Sequence, residues 1–265
     1  MIFGHRYMKY PNNCRFRGGS RLATILLALF ILSLAGNFYL IYRARDYRRG
    51  ANYWLAKYTG VVEEFSRRDV YWDADAALKS DTAVARRIVF FGSQVAERWQ
   101  LERYFPSYET INRGIGGQWV SGMLLRFWQD VVELHPEYVV IEVSSYNLRP
   151  QFSAEQIGQC LQSMVSIAGQ NNIKPVLTTM VPIQRGHEKI VDYDNYLVMP
   201  QIRAYNEWVR GYAGDRGLAL VDFAKILAGS DGYLRDDLAI AAIVPNETGY
   251  GMMSKGVNDI LGRTK

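Results

Sequence analysis

Apolar residues near the start of the chain form one long uninterrupted run. Leu22 to Tyr42 contains no charged residue and is broken only by Ser33, Gly36 and Asn37. At 1.5 Å per residue, this run is long enough to cross a hydrocarbon core of roughly 30 Å. The pattern therefore predicts one transmembrane helix at residues 22–42.

A cleaved signal peptide is the alternative, because Ser33-Leu34-Ala35 is similar to a small-residue cleavage site. Two features favour a retained anchor: the apolar run continues to Tyr42, and residues 1–21 form a long basic leader. Four arginines follow the run and five basic residues precede it, so positive charge alone barely decides orientation. We expect a bacterial-type inner membrane, a cytoplasmic N-terminus, and a periplasmic or external C-terminal domain.

Residues 43–86 connect this segment to the rest of the chain. Apolar residues recur there at helical spacing beside basic and acidic residues, which predicts an amphipathic helix. The stripe consists of Trp54, Tyr58, Val61, Val62 and Phe65. It either packs on its own domain or rests at the lipid headgroups, or it docks a membrane protein partner.

The remaining residues, 87–265, alternate between short apolar runs and longer helical patterns. The β-rich runs are 87–91, 109–112, 138–143, 175–181 and 218–223, and the helical segments are 95–104, 121–134, 154–171, 201–214 and 248–261. Buried strands that alternate with helices are typical of a parallel sheet covered on both faces. Right-handed crossovers then predict a three-layer α/β/α, flavodoxin-like sandwich with five strands and its pocket at the carboxyl ends.

Charge and cysteine content exclude two classes of function. The net charge of +5 comes from residues 1–42, because the other 26 basic residues match the 26 acidic ones. No basic stripe for nucleic-acid binding is therefore predicted. Cys14 and Cys160 lie on opposite sides of the predicted membrane helix, and neither has metal-ligand spacing. We predict no metal and no cofactor.

Four segments resemble the sequence blocks of the GDSL-type (SGNH) hydrolases. Residues 87–99, RIVFFGSQVAERW, resemble the first strand with its Gly-Asp-Ser, followed by a helix with Glu-Arg-Trp. Residues 111–118, INRGIGGQ, are similar to Asn-Arg-Gly-Ile-Gly-Gly-Asp. Residues 138–148, YVVIEVSSYNL, resemble the strand leading into Gly-Thr-Asn-Asp, and residues 244–250, VPNETGY, resemble His-Pro-Asn-x-x-Gly-Tyr. The blocks occur in the family's order, so the resemblance implies its fold.

Most catalytic residues of that family are replaced. The resemblance implies a serine nucleophile after the first strand and a C-terminal Asp-x-x-His pair. The ungapped match places Gln94, Ala241 and Val244 at these three positions, and Ser93 at the family's Asp position. We therefore expect no side chain at the carboxyl end of the sheet to accept a proton from Ser93.

The oxyanion site that the resemblance implies is also incomplete. The backbone of Gly117 matches one donor, whereas Gln94 and Tyr146 stand at the other two positions and Asn147 comes one residue late. We interpret the whole site as a vestigial pocket. Its residues are Ser93, Gln94, Gly117, Gln118, Trp119, Tyr146, Asn147, Ala241 and Val244.

Relocated catalytic residues are the alternative to a lost site. Ser93 and Asn147 are each displaced by one position, and His187 lies in the loop after the fourth strand. Structural interpretations compete with these roles: Ser93 as a helix N-cap or turn hydroxyl, and His187 as a solvated residue of an exposed loop at 184–195.

Three functions remain open at this point. The first is an inactive domain that acts as a structural or accessory subunit of a membrane protein complex, with partners contacting the membrane helix and residues 43–86. The second is an envelope esterase or acyl transferase on glycan or lipid esters. The third is a glycan-binding module lined by Gln94, Gln118, Trp119 and Tyr146.

Overall fold

A computed structural model describes residues 19–79, 86–149, 152–188 and 197–263, with backbone alone at 19–20 and 59–66. The chain divides into two compact units, residues 1–60 and 61–265. The predicted leader lies almost wholly outside the described residues, as does the second half of the predicted loop at 184–195.

A single helix, α1 (Gly19–Ser66), dominates the N-terminal unit. Among the described residues it is the one helix long and apolar enough to cross a membrane. The helix does not end at Tyr42 but continues through the predicted connector, and its Trp54 and Tyr58 side chains are exposed. The predicted transmembrane segment and the amphipathic stripe are thus parts of one helix.

The C-terminal unit contains the predicted five-stranded parallel sheet. Its strands are β1 (Arg87–Gly92), β2 (Glu109–Gly114), β3 (Tyr138–Ile141), β4 (Lys174–Thr178) and β5 (Ala219–Val221). The order is β2-β1-β3-β4-β5, and every pairing is parallel. The predicted flavodoxin-like sandwich is confirmed, and the chain reverses its winding direction between β1 and β3, where such folds form their sites.

Eight α-helices of the described chain follow α1, besides four short 3-10 helices. They are α2 (Trp72–Lys79), α3 (Gln94–Glu97), α4 (Leu101–Tyr104), α5 (Val120–Asp130), α6 (Ala154–Gln170), α7 (Val198–Arg216), α8 (Phe223–Leu227) and α9 (Glu247–Arg263). The apolar faces of α5, α6 and α7 form one core with Val89 and Phe91 of β1. The helices α3, α4, α8 and α9 form the other core with Ile88 and Phe90. Alternate β1 residues thus reach opposite layers.

The predicted helix at 95–104 is two short helices instead. The Asn112 side-chain amide donates to the Ala96 carbonyl at 2.7 Å and to the Trp99 carbonyl at 3.3 Å. These bonds satisfy backbone oxygens in the last turn of α3 and in the segment before α4, so the chain can leave the helical path there. A small antiparallel pair, β6 (Ala239–Ala241) with β7 (Val244–Pro245), was not predicted from the sequence.

Candidate functional site

Ser93 follows the end of β1 and occupies the N-cap position of α3, but its side chain does not cap that helix. Its backbone amide donates to Glu142 Oε2 at 2.7 Å, and its hydroxyl donates to the same oxygen at 3.2 Å. The expectation that no side chain near Ser93 accepts a proton is therefore wrong. The missed residue follows the last residue of β3, a neighbour of β1 in the sheet.

Burial governs the properties of Glu142, whose exposed fraction is 2%. Loss of solvation raises the pKa of Glu142, while hydrogen bonds from Ser93 and from the Ala96 backbone amide oppose that rise. Its Oε1 atom has no donor among the described residues. The carboxyl group thus ties the end of β3 to the turn between β1 and α3.

Gly92 makes this close contact between the two strands possible. A Cβ atom at residue 92 would lie 2.6 Å from Glu142 Oε2 and 2.8 Å from both the Cβ and the backbone oxygen of Glu142. No larger residue fits at this position without displacing β3. The glycine of the first family block is therefore required by packing against Glu142.

The Ser93 hydroxyl is enclosed by protein, because the residue has 0% exposure. The half-buried Gln94 follows it at the start of α3. A nucleophile must reach an acyl carbon at about 3–3.5 Å, which an enclosed hydroxyl cannot do without rearrangement. Ser93 therefore has a carboxylate beside it, but its hydroxyl is not accessible to a substrate.

Asn147 is engaged in structural hydrogen bonds. Its Oδ1 atom accepts from the Val120 backbone amide at 2.6 Å, and its Nδ2 atom donates to the Ser144 carbonyl at 3.1 Å. The first bond satisfies an amide at the N-terminus of α5, where helical partners are missing. Because both ends of its amide are engaged in these bonds, the buried Asn147 is not available as an oxyanion donor.

An aromatic and cationic cluster lies beside the Gly117 turn. The ring of Trp119 packs edge-on against Phe152, with centroids 4.7 Å apart, and is 6.5 Å from the ring of Tyr146. The Arg149 guanidinium lies over both Trp119 and Tyr146, at 4.7 and 4.5 Å from the centroids. These cation–π contacts fix the position of Arg149. In the neighbouring turn, Gly117 has φ +73°, a backbone conformation that favours glycine.

A model of the GDSL-like lipase/acylhydrolase family matches residues 85–252. The chain belongs to this family. The similar proteins include the uncharacterized lipoprotein YqeF of Bacillus subtilis (strain 168), 27% identical over 166 residues that cover 56% of this chain and 68% of that protein. The predicted family membership is therefore confirmed.

Crystal structures of similar proteins agree with this assignment. A GDSL-like lipase from Bacteroides thetaiotaomicron VPI-5482 is 25% identical, with a TM-score of 0.66 over 76% of this chain and 100% of that chain. A proposed acylhydrolase from Bacteroides fragilis NCTC 9343 is 27% identical to this chain. Its TM-score is 0.65 over 75% of this chain and 98% of that chain.

The remaining residues that the sequence resemblance matches to catalytic positions, or suggests as relocated ones, lie in different surroundings. Val244 is buried, and Ala241 lies exposed on β6. His187 is exposed, and its backbone amide donates to the Gln184 carbonyl in a turn. Among the described residues, no hydrogen bond connects His187 with Ser93 or Asn147.

Gln118 belongs to the interior of this GDSL-like domain. The side chain is buried, and its Oε1 atom accepts from Arg126 Nε at 2.5 Å. Arg126 also donates to Asp130 at 2.6 Å and to the carbonyls of Gly92 and Arg113 at 3.1 and 2.9 Å. Gln118 therefore positions a buried guanidinium that holds the ends of β1 and β2.

Sequence reasoning missed Glu142 and Arg126, although each carries a signal. Glu142 is the one charged residue within the apolar run 138–143, and Arg126 interrupts the apolar face of the predicted helix at 121–134. A buried charge requires partners. The sequence could have shown that partners exist but not which residues they are.

Proposed function

We propose that this chain is a catalytically inactive GDSL-like protein, anchored in a membrane and used as a structural or accessory subunit of a membrane protein complex. The observation that carries the proposal is the state of the nucleophile region: Gln94 replaces the family's serine, and the neighbouring Ser93 hydroxyl is fully enclosed. Loss of a triad nucleophile or base can reduce turnover by about 10⁶. The buried Val244 offers no general base in its place.

The anchoring part of the proposal follows the long apolar helix. We assign residues 1–21 to a cytoplasmic leader, 22–42 to a transmembrane segment, 43–86 to a connector and 87–265 to the GDSL-like domain. In support, α1 contains a stretch apolar enough to span a bilayer, and the similar Bacillus subtilis protein is a lipoprotein by name. We further propose that the domain lies at the outer face of the membrane.

The proposed subunit role rests on large apolar and aromatic side chains that are exposed on α1. Trp54, Leu55 and Tyr58 are exposed along α1, beyond the apolar run. Exposed aromatic residues of this size are enriched at protein interfaces. A photo-crosslinking residue in place of Trp54 should capture a membrane protein in fixed ratio after mild detergent extraction. The same residue in place of the exposed Ala56, on another face of α1, should capture much less.

Catalytic inactivity is tested with a fluorophosphonate probe on the full chain. We expect no labelling and no hydrolysis of p-nitrophenyl acetate above a heat-denatured control. An active family member treated in parallel verifies the probe. Covalent labelling that disappears in Ser93→Ala and persists in Ser163→Ala, an exposed control hydroxyl, would contradict the proposal.

An envelope esterase or acyl transferase is the second candidate. The distance of 3.2 Å between Ser93 Oγ and Glu142 Oε2 favours it, because a carboxylate of raised pKa is a stronger base once ionised. This function requires a movement that exposes Ser93. Labelling that is lost in both Ser93→Ala and Glu142→Gln identifies this mechanism.

A glycan-binding module is the third candidate, favoured by the half-buried rings of Trp119 and Tyr146 at the turn after β2 and β3. Pockets that bind small ligands combine such aromatic surfaces with a few polar groups. Glycan-array binding that is lost in Trp119→Ala supports it. Equal array signals for the variant and the native chain remove it.

A further inference from the structure

The segment between α1 and the sheet is bound to the domain at both of its ends. We call residues 67–79 the strap; it begins directly after Ser66 and includes α2. Its Arg67 Nη1 atom donates to the Gly116 carbonyl at 2.5 Å, and its Tyr71 hydroxyl donates to the Gly114 carbonyl at 2.5 Å. At the other end, Lys79 forms an ion pair with Glu133.

The strap therefore holds the loop at the vestigial site. Gly114 ends β2, and Gly116 precedes Gly117, whose backbone amide stands at the family's oxyanion position. A Cβ atom at Gly114 would lie 2.0 Å from the Glu97 backbone nitrogen, so the loop is closely packed from the other side as well. Release of the strap would remove its two hydrogen bonds to this loop.

Asp75 is the buried centre of the strap. The residue has 0% exposure, and its Oδ1 atom lies 2.8 Å from Arg113 Nε and 2.6 Å from Arg113 Nη2. Asp130 of α5 is buried as well and accepts from Arg126 at 2.6 Å. Each aspartate thus has one oxygen paired with an arginine.

The other oxygen of each aspartate, Asp75 Oδ2 and Asp130 Oδ1, is buried and has no donor among the described residues. Arg126 links the two ion pairs, because it binds Asp130 and also donates to the Arg113 carbonyl at 2.9 Å. Two ionised carboxylates in one buried cluster repel each other, whereas a protonated carboxyl can donate to an ionised one. We propose that Asp130 holds a proton and donates it in a hydrogen bond to Asp75, which makes the strap a proton-sensitive latch on the loop Gly114–Gly117.

The charges around the pair agree with this proposal. Asp130 faces Arg126 on its own helix and Asp75 on the strap. Arg113, Tyr71 and Glu97 are the other charged or titratable groups of the cluster. Burial raises the pKa of Asp130 to about 6; Arg126 opposes the rise, and Asp75 adds to it by charge and hydrogen bonding. A raised pKa means that the docked state binds the proton more tightly than the released state.

The sign of the pH effect follows from this difference. The latch contributes fully below the ordinary aspartate pKa of 3.8, and its contribution is lost as pH rises through about 6. With these two values, the equilibrium constant for release rises about tenfold between pH 5 and pH 8. The strap is thus expected to loosen in neutral or alkaline surroundings.

Hydrogen–deuterium exchange of the full chain in mild detergent tests the proposal, with protection factors corrected for the intrinsic pH dependence of exchange. Protection of residues 67–79 should fall about tenfold from pH 5 to pH 8, while residues 87–92 in β1 serve as an internal reference. In Asp130→Asn the amide donates permanently to Asp75, so protection should vary less than about twofold. Asp69→Asn, an exposed carboxyl of the same strap, should behave like the native chain.

Infrared spectroscopy provides a second measurement if Asp130→Asn fails to fold. In a Glu142→Gln background, which removes the other buried carboxyl of raised pKa among the described residues, the carboxylic acid band at pH 5 should exceed that of Glu142→Gln/Asp75→Asn, and the excess should be lost by pH 8. Absence of that excess at pH 5 would overturn the proton on Asp130. Strap protection that does not change with pH in the native chain, or an unchanged pH response in Asp130→Asn, would overturn the latch.

Discussion

The backbone amide and the hydroxyl of Ser93 donate to the same oxygen of Glu142, at 2.7 and 3.2 Å. The shorter bond involves the backbone, so the carboxyl group primarily satisfies an amide at the start of α3. The hydroxyl adds a second bond in a region closed to solvent. A serine and a carboxylate in contact therefore serve to join β1 and β3 in this GDSL-like domain.

Replacement of Glu142 should reveal its structural role and its pH dependence. Glu142→Gln keeps an oxygen acceptor for Ser93 and should cost less than about 1 kcal/mol at pH 8. Glu142→Ala leaves the buried Ser93 amide unsatisfied and should cost at least about 1–3 kcal/mol. Thermal unfolding of the full chain in detergent measures both.

The pH dependence distinguishes the charge from the packing. Because burial raises the pKa of Glu142, the native chain loses stability relative to Glu142→Gln as pH rises above the ordinary glutamate range. Asp130 is present in both proteins, so its contribution cancels. A stability difference that stays constant from pH 5 to pH 8 would show that Glu142 has an ordinary pKa.

Gly92 should tolerate no side chain. Gly92→Ala introduces a Cβ atom within 2.6–2.8 Å of three Glu142 atoms, and such overpacking costs about 1–3 kcal/mol or more. Gly211→Ala is the matched control, since that glycine lies in α7 and a Cβ atom there would meet nothing within 4 Å outside its own stretch of helix. The control should raise stability by about 0.5–1 kcal/mol. Equal effects of both changes on unfolding would contradict the packing argument.

Arg126 should be among the residues most costly to replace. Arg126→Met keeps much of the apolar stem but leaves the Asp130 carboxylate without its partner, which should cost about 3–5 kcal/mol. Arg216→Met at the exposed end of α7 should change stability by less than about 1 kcal/mol. Urea unfolding monitored by tryptophan fluorescence compares them, and similar midpoints for the two variants would exclude a central role for Arg126.

The proposed orientation predicts which cysteines an impermeant maleimide reaches in intact spheroplasts. With Cys14 and Cys160 replaced by serine, Asp215→Cys at an exposed position of α7 should be labelled from outside. Asn13→Cys in the leader should be labelled only after lysis. The reverse pattern would place the domain in the cytoplasm, and labelled protein released by carbonate washing would rule out a retained membrane anchor.

The sequence by itself determined the long apolar helix and the alternation of strands and helices, because both follow from the spacing of apolar residues along the chain. It also determined the family, because short sequence motifs carry that resemblance. Its resemblance to the family motifs also predicts that Gln94 and Val244 replace catalytic residues. Only the tertiary structure decided that Glu142 contacts Ser93 and that Asp75 and Asp130 belong to one buried cluster with Arg113 and Arg126. Those pairs lie 49 and 55 positions apart, and strand order, register and helix docking bring them together. Partners of a buried charge are chosen by three-dimensional packing, which no local pattern specifies.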